Sequence, residues 1–406
     1  MVADIAVVVT VTGVTILLLS RRLRASRRWR ATVTPLASII GSGFLVSLPA
    51  LTATVGHYAI VAMAGLVGFS YLIGGAIRFN IVNGEPLFGA AGEQRLPIVE
   101  RMSHFALAFA YFVSVTYYLS LLAAFLLKAA GTPDPVAARA ITTVLLAGIG
   151  GYGFWKGLRG LEGIEEYAVG LKLAIIAAVL VGLAILNVRL LAEGNWAIPP
   201  APDAVRWDDI RVVLGLLIVV QGFETSRFLA GEYPPALRVA TMRHAQIIAG
   251  AIYLAFFALT LVVAGTKPID GDVAVMIDLV ALAAPVLPMM LAAGAVFAQL
   301  SAAIADAIGS AGLIHEETTG RIDRHLAYPV IAAVGIALVW STDVFRIIAL
   351  ASRAFALFYT LQCIVAAQVA LAAPDVDHRR LRVAGFVALA IIAFAAVVFG
   401  IPVEGE

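Results

Sequence analysis

Long apolar runs dominate the chain, and polar residues gather in short intervals between them. Twelve such runs can be marked off, at about 4–20, 33–54, 57–79, 103–129, 134–155, 166–187, 208–230, 244–265, 284–314, 327–341, 344–372 and 383–401. A run of about 20 apolar residues predicts a membrane-spanning helix, because a helix satisfies its own N–H and C=O groups where no water can. A membrane β-barrel would instead show ten-residue segments alternating apolar and polar positions, and these runs do not alternate.

Two of the runs are interrupted. The second reads Thr34-Pro35-Leu36-Ala37-Ser38-Ile39-Ile40-Gly41-Ser42-Gly43-Phe44 and reaches Pro49. The seventh reads Val220-Gln221-Gly222-Phe223-Glu224-Thr225-Ser226-Arg227. Glycines with polar neighbours weaken a helix at mid-span. Unwound backbone inside a membrane survives only where it lines a protein-walled cavity; its amides attract anions and its freed carbonyls attract cations. The same glycines can also serve close helix packing. One interval separates Gly41 from Gly222 and Lys172 from Arg353, so each half of the chain carries a break in its first run and a cation in its last.

Composition sharpens this picture. Hydrophobic residues make up 62% of the 406 and charged residues 13%, too little polar surface for a water-soluble body of this size. The net charge of +2 implies no attraction to nucleic acid. The single cysteine, Cys363, excludes a disulfide framework, and the histidines show no metal-ligand spacing, so each is expected at the surface. The cluster Arg21, Arg22, Arg24, Arg27, Arg28, Arg30 follows the first run, whereas a cleaved signal peptide carries its charge before it. The first run is therefore expected to stay as an anchor helix with the cluster in the cytoplasm and both termini outside.

The interrupted motifs resemble those of the amino acid–polyamine–organocation (APC) superfamily of secondary transporters. The resemblance rests on Ile39-Ile40-Gly41-Ser42-Gly43-Phe44, on Gly222-Phe223-Glu224 followed by Glu232-Tyr233-Pro234, and on Val169-Gly170-Leu171-Lys172, similar to the fifth core helix of the cationic amino acid transporter-like bacterial permeases. It implies an all-α polytopic fold with a five-plus-five inverted repeat of leucine-transporter type and about twelve transmembrane helices. The expected division is 1–31 for an extra N-terminal helix and basic linker, 32–187 and 188–372 for the two five-helix repeats, and 373–406 for a C-terminal helix.

The resemblance also implies a site. Amides at Ser42, Gly43 and Phe44 would meet a substrate carboxylate, and carbonyls near Ala37, Ser38 and Gln221 an amine. Ile40, Gly41, Gly222 and Thr225 complete the two breaks. Phe223 would close over the substrate. Tyr117 and Tyr118 would offer a hydroxyl or simply pack. Lys172, buried about 9 Å beyond Glu166 by helical rise, is expected to hold a cation position formed with Ala37 and Ile40, or to snorkel to the near face. Asp306 lies at similar depth and is expected to pair with it. Ser301 stands where sodium-coupled relatives carry a hydroxyl ligand, but Ala302 follows it, so proton coupling is expected over sodium. Glu224 would carry a proton or bond to a freed amide. Arg353 would contact a second acidic group on the substrate or pair with Glu224. Arg227 and Glu232 would gate the cytoplasmic side or be solvated.

The function expected is that of a secondary active transporter in the bacterial inner membrane, a proton-linked symporter or exchanger for an amino acid, a similar small zwitterion or an organic acid. It needs no cofactor or metal and is not expected to be an enzyme; its partners are the small-molecule substrate and the lipid bilayer. The alternatives are a carrier of an inorganic cation, amine or osmolyte on the same fold, and a non-transporting membrane sensor.

Overall fold

A computed structural model describes residues 2–41, 43–88, 95–158, 162–200, 202, 204–230, 232–264, 275–318, 320–373 and 376–402. Among them every regular element is a helix. In chain order these are α1 (Val2–Leu18), α2 (Arg21–Arg24), α3 (Arg27–Ile39), α4 (Gly43–Val55), α5 (Ala59–Phe79), α6 (Glu85–Phe88), α7 (Arg95–Ala129), α8 (Pro135–Lys156), α9 (Glu162–Ala192), α10 (Trp207–Gly215), α11 (Pro235–Ala264), α12 (Val275–Ala281), α13 (Leu287–Glu317), α14 (Arg324–Ser341), α15 (Val344–Ala372) and α16 (Arg379–Phe399).

Nine stretches among the described residues are long and apolar enough to cross a membrane. The sequence suggests twelve, and three runs explain the difference. The first is a shorter apolar helix, Ala3–Leu18. The second and seventh are divided, so neither forms one long helix: Arg27–Ile39 and Gly43–Val55 have 13 residues each, and Trp207–Gly215 has 9.

Helix starts follow local chemistry. Ser26, Asp134, Asp323 and Asp343 each accept a backbone N–H from the first turn that follows, satisfying a donor that has no partner within the helix. Pro135 sits where a missing N–H costs nothing.

The long α7 runs through the middle of the bundle, with α13 and α15 packed along it; α14 lies on α8, α11 on α3 and α5, and α16 on α15. Small residues allow close approach. A side chain at Gly153 of α8 would meet the Tyr328 ring of α14 at 2.6 Å. Large apolar side chains such as Trp155, Val144 and Leu381 are more than 70% exposed, which identifies lipid as the outer solvent. The N-terminal helix α1 packs along α9, the Lys172 helix, where Gly170 receives Leu19.

Candidate functional site

The first interruption is a break. α3 contains Pro35 and ends at Ile39; Ile40 leaves helical geometry at φ −86°, ψ 68°, and α4 starts afresh at Gly43. Ser42 lies outside the described residues, and of Phe44 only the backbone, in α4, is described. The second interruption is longer. α10 ends at Gly215, a tight turn spans Leu217–Val220, Gln221 is extended, and Gly222 adopts φ 111° before a second tight helical stretch, Phe223–Leu229. That φ is open to glycine and strained for other residues.

The two breaks touch. A Cβ on Gly222 would lie 2.5 Å from the Ser38 carbonyl carbon and Cβ, and one on Gly43 would lie 3.2 Å from Val219 Cα. Glycine at both positions is what lets two main chains meet without an intervening side chain.

Unwound backbone in a buried place needs partners for its polar groups, and side chains from four other helices supply them. Tyr253 of α11 directs its hydroxyl at two carbonyls, Ile39 O at 3.0 Å and Val219 O at 2.6 Å. Ser70 of α5 donates to Val220 O at 2.9 Å, and Ser352 of α15 accepts from Ile218 N at 3.0 Å. Lys172 of α9 donates from Nζ to Ala37 O at 2.9 Å. Glu224 Oε2 accepts from Gly222 N at 2.9 Å, and Thr225 Oγ1 donates to Gly222 O at 2.7 Å.

Around these breaks stands a ring of aromatic hydroxyls and carboxylates. Glu224 is wholly buried and accepts from the Tyr359 hydroxyl at 3.0 Å; its Oε1 has no hydrogen-bond partner among the described residues. Phe223 stacks on Tyr359 with centroids 5.2 Å apart. Gln221 Nε2 donates to the Tyr118 hydroxyl at 2.8 Å, and Tyr117 packs beside Tyr118. Tyr111, Tyr118 and Tyr359 all lie within electrostatic reach of Glu224. Asp306, also buried, accepts from Ser114 of α7.

A cavity of about 1070 Å³ leads to this place. Ser38 and Thr225 of the broken spans and Ser301 and Asp306 of α13 line it, together with Glu232, Glu316 and Arg324. A separate space of about 20 Å³ lies between Gly41, Lys172 and Gly294.

A family model described as an APC superfamily transporter matches residues 21–400. The chain belongs to the APC superfamily of transporters. It is also 43% identical, over 391 residues, to a protein of Aquifex aeolicus (strain VF5) described as an uncharacterized protein; the match covers 95% of this chain and 94% of that one. The protein is thus a multi-pass membrane protein of a transporter family.

In this APC transporter a buried ionic network lines the cavity beyond the breaks. Arg227 reaches Glu100 Oε1 at 2.5 Å and also donates to Gln362 Oε1. Gln362 Nε2 in turn donates to Glu100 Oε2 at 3.1 Å and Ser103 Oγ at 2.7 Å. His104 bridges two carboxylates, with Nε2 3.0 Å from Glu100 Oε1 and Nδ1 2.6 Å from Glu317 Oε1. Arg238 holds Glu85 through two contacts of 2.8 and 2.6 Å and donates to Arg227 O at 2.9 Å. These pairs tie the segment following the second break to α6, α7, α11, α13 and α15.

The structure brings together most of the residues the sequence singles out, and separates one. Arg353 is exposed and donates to Val398 O at 2.9 Å, away from Glu224. Ser352 and Tyr359, two turns apart on α15, face the second break; Arg353 is turned about 100° from Ser352 and points elsewhere. Lys172 donates to Ala37 O, and Asp306 accepts from Ser114. Arg227 is buried in a network, not solvated, while Glu232 is exposed and lines the cavity. His104 is largely buried between carboxylates, a correction to its expected surface place. Tyr253, Tyr359, Ser70, Ser352, Ser114, Glu100 and Gln362 carry no sequence motif. The seven-residue spacing of Ser352 and Tyr359 puts both on one face of α15.

Proposed function

We propose that the protein is a secondary carrier working by alternating access, a proton-linked symporter or an exchanger for an amino acid, a similar small zwitterion or an organic acid. The observation that carries this reading is the contact between two broken spans, from which Ser38 and Thr225 line a cavity of about 1070 Å³. Amides of the first break and carbonyls of both offer opposite partial charges to one solute.

In this reading twelve spans form two inverted five-helix repeats over 32–187 and 188–372, flanked by α1 and α16. On the same reading the basic clusters lie in the cytoplasm, the cavity opens toward them in an inward-facing shape, and the membrane is a bacterial inner membrane. Lys172, seated on Ala37, stands as a fixed or titrating cation at the first break; Glu224 and Asp306 are the proton-carrying carboxylates. Arg227 and Glu100 hold the segment after the second break against α7 in this shape.

A second reading, a carrier of amines or other organic cations, draws support from the lining of the cavity. Glu85, Glu100, Glu232, Asp306 and Glu316 face it against Arg227 and Arg324. The two readings part on substrate chemistry. Thermal-shift screening of small molecules, followed by counterflow with any hit in proteoliposomes, tests both. An amino acid that loses transport when its carboxylate is esterified supports the first; a carboxylate-free amine transported equally well supports the second. Absence of counterflow for every stabilising compound would contradict both.

A further inference from the structure

A helix leaves its last four carbonyls without partners of their own and gathers partial negative charge there. At the end of α16 two guanidinium groups from different elements meet that charge. Arg211 of α10 donates from Nε to Phe399 O at 3.1 Å, and Arg353 of α15 donates to Val398 O at 2.9 Å. Main chain returns the contact: Ile401 N donates to Arg211 O at 3.1 Å. A Cβ on Gly215, the last residue of α10, would lie 2.0 Å from Ile401 O, so backbone rests on backbone there. The Trp207 ring, at the first residue of α10, stands edge-on to Phe399 with centroids 5.6 Å apart. The end of α16 thus touches α10 at its first residue, its middle and its last.

α10 is the half of the second broken span that precedes the break, whereas Thr225, Arg227 and Glu232, which line the cavity, follow it. An entrance on the other side of the break requires α10 to move against α15. We propose that the end of α16 is a releasable clasp that pins α10 to α15 and keeps closed the side of the second break away from the cavity. Its chemistry suits release. Arg353 and Phe399 are exposed and Arg211 is half-buried, so water replaces each polar contact as it parts. The buried Gly215–Ile401 contact sets the seat to which α10 returns. α16 lies outside both repeats of the carrier reading, so the clasp is a restraint added to the moving core. The inference rests on that reading for its functional meaning. Its test follows the position of α10 and uses no solute, so the two can fail separately.

Val212 is buried on α10 and reports on its displacement. In a Cys363→Ala background, Val212→Cys is labelled with a water-soluble maleimide in purified, detergent-solubilised full-length protein. Thr34→Cys, which lines the cavity, reports on the opposite side, and Ala140→Cys on the exposed face of α8 is the control. The clasp is loosened by Arg211→Met or Arg353→Met, which keep the apolar stem and lose the donors. It is loosened independently by Gly215→Ala. Alanine suits a helix better than glycine, so its methyl group acts by meeting Ile401. Each variant is expected to raise the Val212→Cys rate about fivefold, the effect of one lost hydrogen bond on an opening equilibrium. Arg211→Met and Arg353→Met together should raise it at least tenfold. The Thr34→Cys and Ala140→Cys rates are expected not to rise. Unchanged Val212→Cys labelling in the variants would overturn the proposal. An equal rise at Thr34→Cys would overturn it too, because the contacts would then merely hold the bundle together. If Gly215→Ala does not fold, the arginine variants decide, since both side chains stand at the surface.

Discussion

Glu224 has one oxygen engaged by Gly222 N and the Tyr359 hydroxyl and the other without a partner among the described residues. A carboxyl so enclosed changes its interactions sharply with the gain or loss of a proton. If it carries the coupled proton, uptake at fixed substrate should rise as external pH falls and flatten at the acidic end. Glu224→Gln keeps the hydrogen-bond acceptor but cannot titrate, so its uptake should no longer vary with pH; a retained pH profile would move the proton elsewhere. Tyr359→Phe removes a hydrogen bond to this carboxyl worth ~2 kcal/mol, and about a tenfold or greater loss of initial uptake rate is expected at equal protein abundance. Lys172→Ala bares Ala37 O beside the first break. The expected result is folded, inserted protein without pH-dependent uptake, measured by size-exclusion profile and proteoliposome assay together.

At the scale of elements, the breaks follow from residues visible in the sequence, while their supports do not. Glycine next to polar residues inside an apolar run marks Gly41–Gly43 and Gly222–Glu224, because lipid tolerates unwound backbone only around a cavity. Tyr253 and Tyr359, by contrast, look like any aromatic residue on an apolar helix; what distinguishes them is the distant chain they touch. The interval shared by Lys172 and Arg353 misled for a related reason: a sequence offset fixes neither a helix's rotation nor its neighbour, and Arg353 turns to the C-terminal helix. The Arg227–Glu100 pair ties the second break to α7. Removing one member strands a buried charge at a cost of ~3 kcal/mol. Arg227→Ala should therefore lower the melting temperature in detergent, and adding Glu100→Gln should recover part of the loss. A double variant no more stable than Arg227→Ala would mean the network owes little to this pair.

On the scale of the whole molecule, composition alone required lipid as solvent, and the apolar outer surface agrees. The number of crossings was harder to read, because a broken span has neither the length nor the continuity of a helix. The order of basic residues predicts both termini outside; cysteines added at each end should react with an impermeant reagent in intact cells, and reaction only after lysis would reverse the assignment.

The central claim is that the meeting of two bare main chains forms the substrate site. Gly222 tests it most directly, since a methyl group there would press on Ser38 and strain the backbone by ~2 kcal/mol. The decisive measurement is counterflow of a transported solute in proteoliposomes, comparing the parent protein with Gly222→Ala at matched reconstitution. The account predicts transient accumulation for the parent and none above empty vesicles for the variant. Equal accumulation by both would contradict it.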